Sequence, residues 1–94
     1  MASGFRIAST PAFERSARKL IRKTPRVEDV IEDLCAVLEE DSFNLSRIHN
    51  IKKLINVEAG DGQWRIRSGV YRLRYDFERD TVILHSINHR KDAY

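Results

Sequence analysis

A single cysteine, Cys35, stands in a chain of 94 residues. One thiol makes no internal disulfide and supplies no thiolate metal cluster. No apolar run approaches the length of a membrane span, and Met1 opens onto no secretory hydrophobic segment. Internal repeats and low-complexity segments are missing as well. So are a carboxylate pair, a nucleophile triad, a Walker loop and any metal-ligand spacing. Together these absences predict a soluble, cytoplasmic protein that needs no membrane, metal or cofactor.

What is there suits one domain over residues 1–94. A chain this short buries about 65% of its unfolded surface, enough for a modest core. Hydrophobic residues at 41% and charged ones at 33% are too balanced for a disordered tail. The net charge of +3 hides an asymmetry. Residues 1–24 carry six cations and one anion, residues 25–46 one and seven, and residues 47–94 ten and six. An acidic middle between basic ends argues for a localised basic face, or for mutual neutralisation of the segments, rather than uniform coating by nucleic acid.

Phe5-Arg6-Ile7-Ala8-Ser9 alternates as a short strand does. Thr10-Pro11 reads as an N-cap followed by the first helical position, where proline loses only an N–H that has no helical partner. Phe13, Ala17, Leu20 and Ile21 then form a narrow apolar stripe on a strongly basic helix. Thr24-Pro25 repeats the punctuation, ending one helix and opening another. Val27, Val30, Ile31, Leu34, Val37 and Leu38 follow the spacing of one buried helical face. Two helices with almost no loop between them predict an antiparallel hairpin.

The stretch 41–62 is the least periodic. Asp41 to Asn44 reads as a turn, a short strand fits around Lys52-Lys53-Leu54, and Glu58 to Gly62 is loop by composition. From Gln63 the alternation is regular. Trp64 and Ile66, then Tyr71, Leu73, Tyr75 and Phe77, point one way, with arginines between them, and Thr81 to Ile87 makes a further strand. The predicted fold is α+β: an N-terminal strand, a two-helix hairpin on one sheet face, then an antiparallel β-meander.

A tight turn at Ser68-Gly69 would set Trp64 opposite Leu73, Ile66 opposite Tyr71, Arg65 opposite Arg72, Gln63 opposite Arg74 and Arg67 opposite Val70. Like charges directly opposite each other destabilise a sheet. A phosphate held between guanidinium forks would reverse that sign. The competing readings are neutralisation by Asp61, Asp76 or Glu58, or plain solvation. Arg67 and Arg74 extend the same face, so it should at least be exposed.

The end of the chain adds His89-Arg90-Lys91-Asp92-Ala93-Tyr94. His89 continues the parity of Ile83, His85 and Ile87. A lone histidine is most often an ordinary surface group; here two cations and a phenol accompany it. RNA cleavage without metal needs a base for the 2′-OH, cations on the scissile phosphate and a proton for the leaving 5′ oxygen. These residue types can supply all three.

The run Gln63 to Tyr75, containing R-x-R-x-G-x-Y-R-x-x-Y, together with the terminal H-R-x-x-x-Y, resembles the RelE/ParE superfamily, the toxin halves of toxin–antitoxin pairs. The resemblance spans nearly the whole chain and implies a compact RelE-like α+β fold with a twisted antiparallel sheet. It also implies one of two activities: RelE-like cleavage of mRNA in the ribosomal A site, or ParE-like inhibition of DNA gyrase without catalysis. A catalytically silent homologue is a third possibility. Carried over by position, Arg65, Arg67, Arg72, Arg90 and Tyr94 would form the catalytic set, to which the reading of the chain's end adds His89. Arg72 would sit on the transition-state phosphate, and Tyr94 would stack on a base or assist proton transfer. Lys52, Lys53, Arg74 and Lys91 would bind RNA, and the basic first helix would join Lys52 and Lys53 in salt-sensitive phosphate contacts to ribosomal RNA. Where some members carry lysine this chain has Arg65 and Arg67, which leaves His89 or Tyr94 to move the proton. The implied partners are a cognate antitoxin and either the ribosome with its mRNA or, in the alternative, gyrase.

Overall fold

The computed structural model describes residues 6–41 and 49–91. Phe5 of the expected first strand, residues 42–44 of the expected turn, and Tyr94 lie outside the described residues. The elements run β1 (Arg6–Ser9), α1 (Pro11–Lys23), α2 (Val27–Asp41), β2 (Ile51–Lys53), β3 (Trp64–Ser68), β4 (Tyr71–Glu78) and β5 (Thr81–His89).

The first helix starts where its cap dictates. Thr10 is extended (φ −88°, ψ 159°) and its hydroxyl oxygen accepts from Phe13 N at 3.0 Å, with Pro11 directly behind it. The chain leaves α1 at Thr24, whose N–H closes on Leu20 O at 2.8 Å, and re-enters a helix three residues later. Phe13 and Ala17 from α1 and Val27, Leu34 and Leu38 from α2 are buried, as their spacing predicts.

The five strands form one sheet in the order β1-β5-β4-β3-β2. β2 through β5 are antiparallel, while β1 lies parallel to β5, with Arg6 beside Thr81 and Ser9 beside Leu84. Ile66, Leu73, Tyr75, Val82, Leu84 and Ile87 fill the face beneath the helices. Ser16 Oγ accepts from Ile87 N at 3.3 Å and Thr10 Oγ1 donates to His85 O at 3.2 Å, so α1 is fastened to β5 as well as packed on it.

Two local features correct the sequence-based register. The β3–β4 turn is Gly69-Val70 rather than Ser68-Gly69, and the observed pairs are Trp64 with Tyr75, Arg65 with Arg74, Ile66 with Leu73, and Arg67 with Arg72. Gly69 has φ 57°, the left-handed value that a tight hairpin asks of its first central residue, and glycine supplies it without strain. The displacement is two residues, an even number, so every side chain keeps its predicted face.

The second feature is an irregularity in the β4–β5 ladder. Tyr75 pairs with Leu84 and Arg74 with Ser86, which leaves His85 as an extra residue. An extra residue reverses the alternation beyond it. Ile83 and His85 therefore do not share a face with Ile87 and His89, contrary to the expected parity.

Candidate functional site

The sheet face turned away from the helices is built from two cross-strand rows. One runs Lys52, Arg65, Arg74, Ser86; the other runs Arg67, Arg72, Asn88. The pleat puts these on one side because each alternates with a core residue, Ile66 between Arg65 and Arg67, Leu73 between Arg72 and Arg74. Two arginine–arginine pairs thus lie side by side, where the sequence register had one.

The guanidinium groups differ in what holds them. Arg74 is committed to the 58–62 loop: Nε donates to Gly62 O at 3.0 Å and Nη2 to Asp61 O at 2.8 Å. Asp76, only 6% exposed, secures the same loop from beneath, accepting from Gly62 N at 2.7 Å and Gln63 N at 2.9 Å. Neutralisation of the arginines by Asp76 was one competing reading; its carboxylate is instead occupied by backbone amides. With the Asn50 amide oriented so that its oxygen faces β3, Arg67 Nη2 and Nε donate to it at 2.7 and 2.9 Å. Arg72 is different: its Nε and Nη1 are buried and have no hydrogen-bond partner among the described residues. Buried donors without acceptors are destabilising, and an anion or an ordered water supplies the oxygen that a guanidinium needs there.

The lysines expected to act together are split by the pleat. Lys52 stands opposite Arg65 on the arginine side, whereas Lys53 stands opposite Trp64 and holds its ammonium 5.9 Å from the indole centroid. His89 is also on the far side. It pairs with the buried Tyr71, and the two rings meet edge to face at 5.8 Å. Of the two histidines of β5, His85 is the one on the arginine side, and its ring flanks Gly62 together with Arg74: a Cβ built on Gly62 would come within 3.3 Å of His85 Cδ2 and 2.9 Å of Arg74 Cβ. Sequence alternation assigns these two histidines to one face, and no residue type near His85 announces the irregularity that separates them.

Arg90 N donates to Val70 O at 2.6 Å, which ties the end of β5 to the β3–β4 turn beside Arg72. Lys91 is exposed, and its N–H donates to His89 Nδ1 at 3.2 Å. Cys35 is remote from all of these groups, in the hollow between the helices and β1. Burial pushes its thiol pKa up, and Glu39 and Glu32 add to that, so it is a poor nucleophile. Among the described residues no group of three or more His, Cys, Asp or Glu side chains could hold a metal ion. None of the described helices is long and apolar enough to cross a membrane.

Comparison with known proteins follows the same lines. Residues 7–94 match the family model described as the ParE toxin of the type II toxin–antitoxin system, parDE. The fold is similar to a chain of the RelB–RelE antitoxin–toxin complex from Methanococcus jannaschii. That match has a TM-score of 0.59 and 28% identity, and covers 93% of this chain and 94% of the other. No curated protein sequence matches the chain.

Proposed function

The chain belongs to the ParE toxin family of type II toxin–antitoxin systems, within the RelE/ParE superfamily, and on that premise we propose that it acts on RNA as a ribosome-dependent mRNA endonuclease. The observation that carries this reading is Arg72, whose buried Nε and Nη1 lack acceptors among the described residues, in the row where it stands between Arg67 and Asn88. A scissile phosphate supplies those acceptors, and its charge grows toward the transition state, where fixed guanidinium dipoles act most strongly.

In this reading the 2′-oxygen of the nucleotide 5′ to the cut attacks phosphorus and gives its proton to a base. The 5′ oxygen leaves with a proton, and a cyclic phosphate remains. Arg65, Arg67 and Arg72 hold the phosphate, and Lys52, Arg74 and Arg90 extend the charged track for the strand. His85 is the imidazole on the correct side for the proton, while His89 is on the opposite side and does not reach the arginine rows. Tyr94, the other expected proton carrier, lies outside the described residues.

Two observations favour the second reading, a non-catalytic inhibitor of DNA gyrase. The matching family model is that of ParE, and His89 is separated from the arginines. Primer extension on a defined mRNA in a purified translation system separates the two. Cuts in ribosome-bound mRNA that vanish with Arg72→Met support the nuclease. Intact mRNA with loss of supercoiling in a gyrase assay supports the inhibitor, and neither effect marks a silent homologue.

Either reading includes a cognate antitoxin, as in the RelB–RelE complex that the fold resembles. A hollow of about 340 Å³ beside the edge strand β1 has an apolar floor that includes Ile7, Phe13 and Ile31 and a rim that includes Glu14, Glu28 and Glu32. Its chemistry fits an apolar antitoxin segment bearing basic residues, added along the free edge of the sheet.

A further inference from the structure

The helix side of the sheet carries a second group of cations that the arginine rows do not use. Two depressions of about 230 and 250 Å³ adjoin there, and both are lined by Leu20, Lys23 and His89. Ser16 and Lys19 also line the first, which reaches Asn88 at the end of the arginine-side row, and Thr24, Tyr71 and Lys91 line the second. No aspartate or glutamate is among the described residues lining either.

Stability alone does not account for this grouping. Lys19 and Lys23 are one turn apart on α1, where like charges repel. Lys23 lies in the last turn, where the helix dipole favours a cation, but Lys19 does not, and Lys91 comes from the chain after β5.

His89 is oriented for a particular task. Lys91 N–H donates to Nδ1, so the neutral ring carries its proton on Nε2 and offers an N–H donor. The edge-to-face packing with Tyr71 holds the ring in place. Lys19 and Lys23 line one depression and Lys23 and Lys91 the other, with His89 common to both, a set of donors that an anion of about the size of a phosphoryl group complements.

We propose that this cleft is a second phosphate-binding site, occupied by a backbone phosphate of RNA, so that the protein holds nucleic acid from both sides of its sheet. Lys19, Lys23 and Lys91 are all exposed and belong to two adjoining depressions, an arrangement that a continuous strand can span. The choice of RNA as occupant rests on the function proposed above; the phosphate chemistry of the cleft does not.

The test uses the full chain and a 2′-O-methyl RNA oligonucleotide, which cannot be cleaved by attack of its own 2′ oxygen. Binding is followed by fluorescence anisotropy across a salt series, with His89 ring resonances read by NMR. The Lys19→Gln/Lys23→Gln double variant should lower the slope of log affinity against log salt by about 0.7–1.4, the loss of one or two phosphate contacts. RNA should shift the His89 ring signals, and His89→Gln, which keeps an N–H donor, should bind better than His89→Leu. Amide spectra of each variant establish that it is folded.

An unchanged slope with unshifted His89 signals overturns the proposal. A shift produced by inorganic phosphate but not by RNA overturns the RNA occupant and assigns the cleft to free phosphate. The arginine face is scored separately by Arg72→Met in the same assay. RNA binding that survives both sets of substitutions counts against both sites, whereas a defect confined to Arg72→Met counts against the lysine cleft alone.

Discussion

The two faces of the one sheet obey different rules. Beneath the helices, each cross-strand neighbour improves the fit of the next: Ile66 beside Leu73, Leu73 beside Ile87, Trp64 beside Tyr75. On the open side, arginine stands opposite arginine twice, and Arg72 buries two donors that nothing described here accepts. The same strands supply both faces, so backbone requirements cannot explain the contrast. One face is arranged for folding and the other for something that folding alone does not provide.

Substitutions on the two faces should therefore have opposite signs. The largest effect belongs to Leu73→Ala on the covered face. Leu73 is fully buried, and its truncation should destabilise the protein by about 2–5 kcal/mol, measured by urea unfolding. Next comes Gly62→Ala, at the seam where the loop meets Arg74. Its φ of 79° and a Cβ only 2.9 Å from Arg74 Cβ predict a loss of about 1–2 kcal/mol in the same measurement. Thr10→Ala removes the cap of α1 and should cost about 1 kcal/mol, seen as a lower melting temperature. Arg72→Met, on the open face, should instead stabilise by about 0.5–1 kcal/mol, because it removes both a like-charge pair and two unsatisfied donors. A loss of stability there as large as that of Leu73→Ala would break the contrast.

The order of elements was readable because local chemistry dictates it. Thr10-Pro11 and Thr24-Pro25 bracket the helices, and the period-two alternation of β3 and β4 assigns each side chain its face. The register was two residues off because Ser68-Gly69 and Gly69-Val70 are both plausible turns, and only the left-handed φ of Gly69 chooses between them. The site was less legible. Arg65, Arg67, Arg72 and Arg74 were placed together correctly, but their pairing was not. The separation of His85 from His89 depends on one extra residue in β5, a property of how two strands meet rather than of either sequence. The split between Lys52 and Lys53 is of another kind: it follows from plain alternation once both lie in β2.

The difference between the faces also changes the meaning of a stabilising substitution. On the covered side, added stability reflects better packing. On the open side, under the proposed function, it reflects the removal of a group that would bind an anion, and function should fall as stability rises.

Melting temperature with and without an uncleavable 2′-O-methyl RNA, compared between the wild-type chain and Arg72→Met, tests this most directly. The account predicts a crossover: without RNA the variant melts higher, and with saturating RNA the wild-type chain does, because bound phosphate satisfies Arg72. A variant that melts at or below the wild type without RNA, with equal shifts in both when RNA is added, would contradict it.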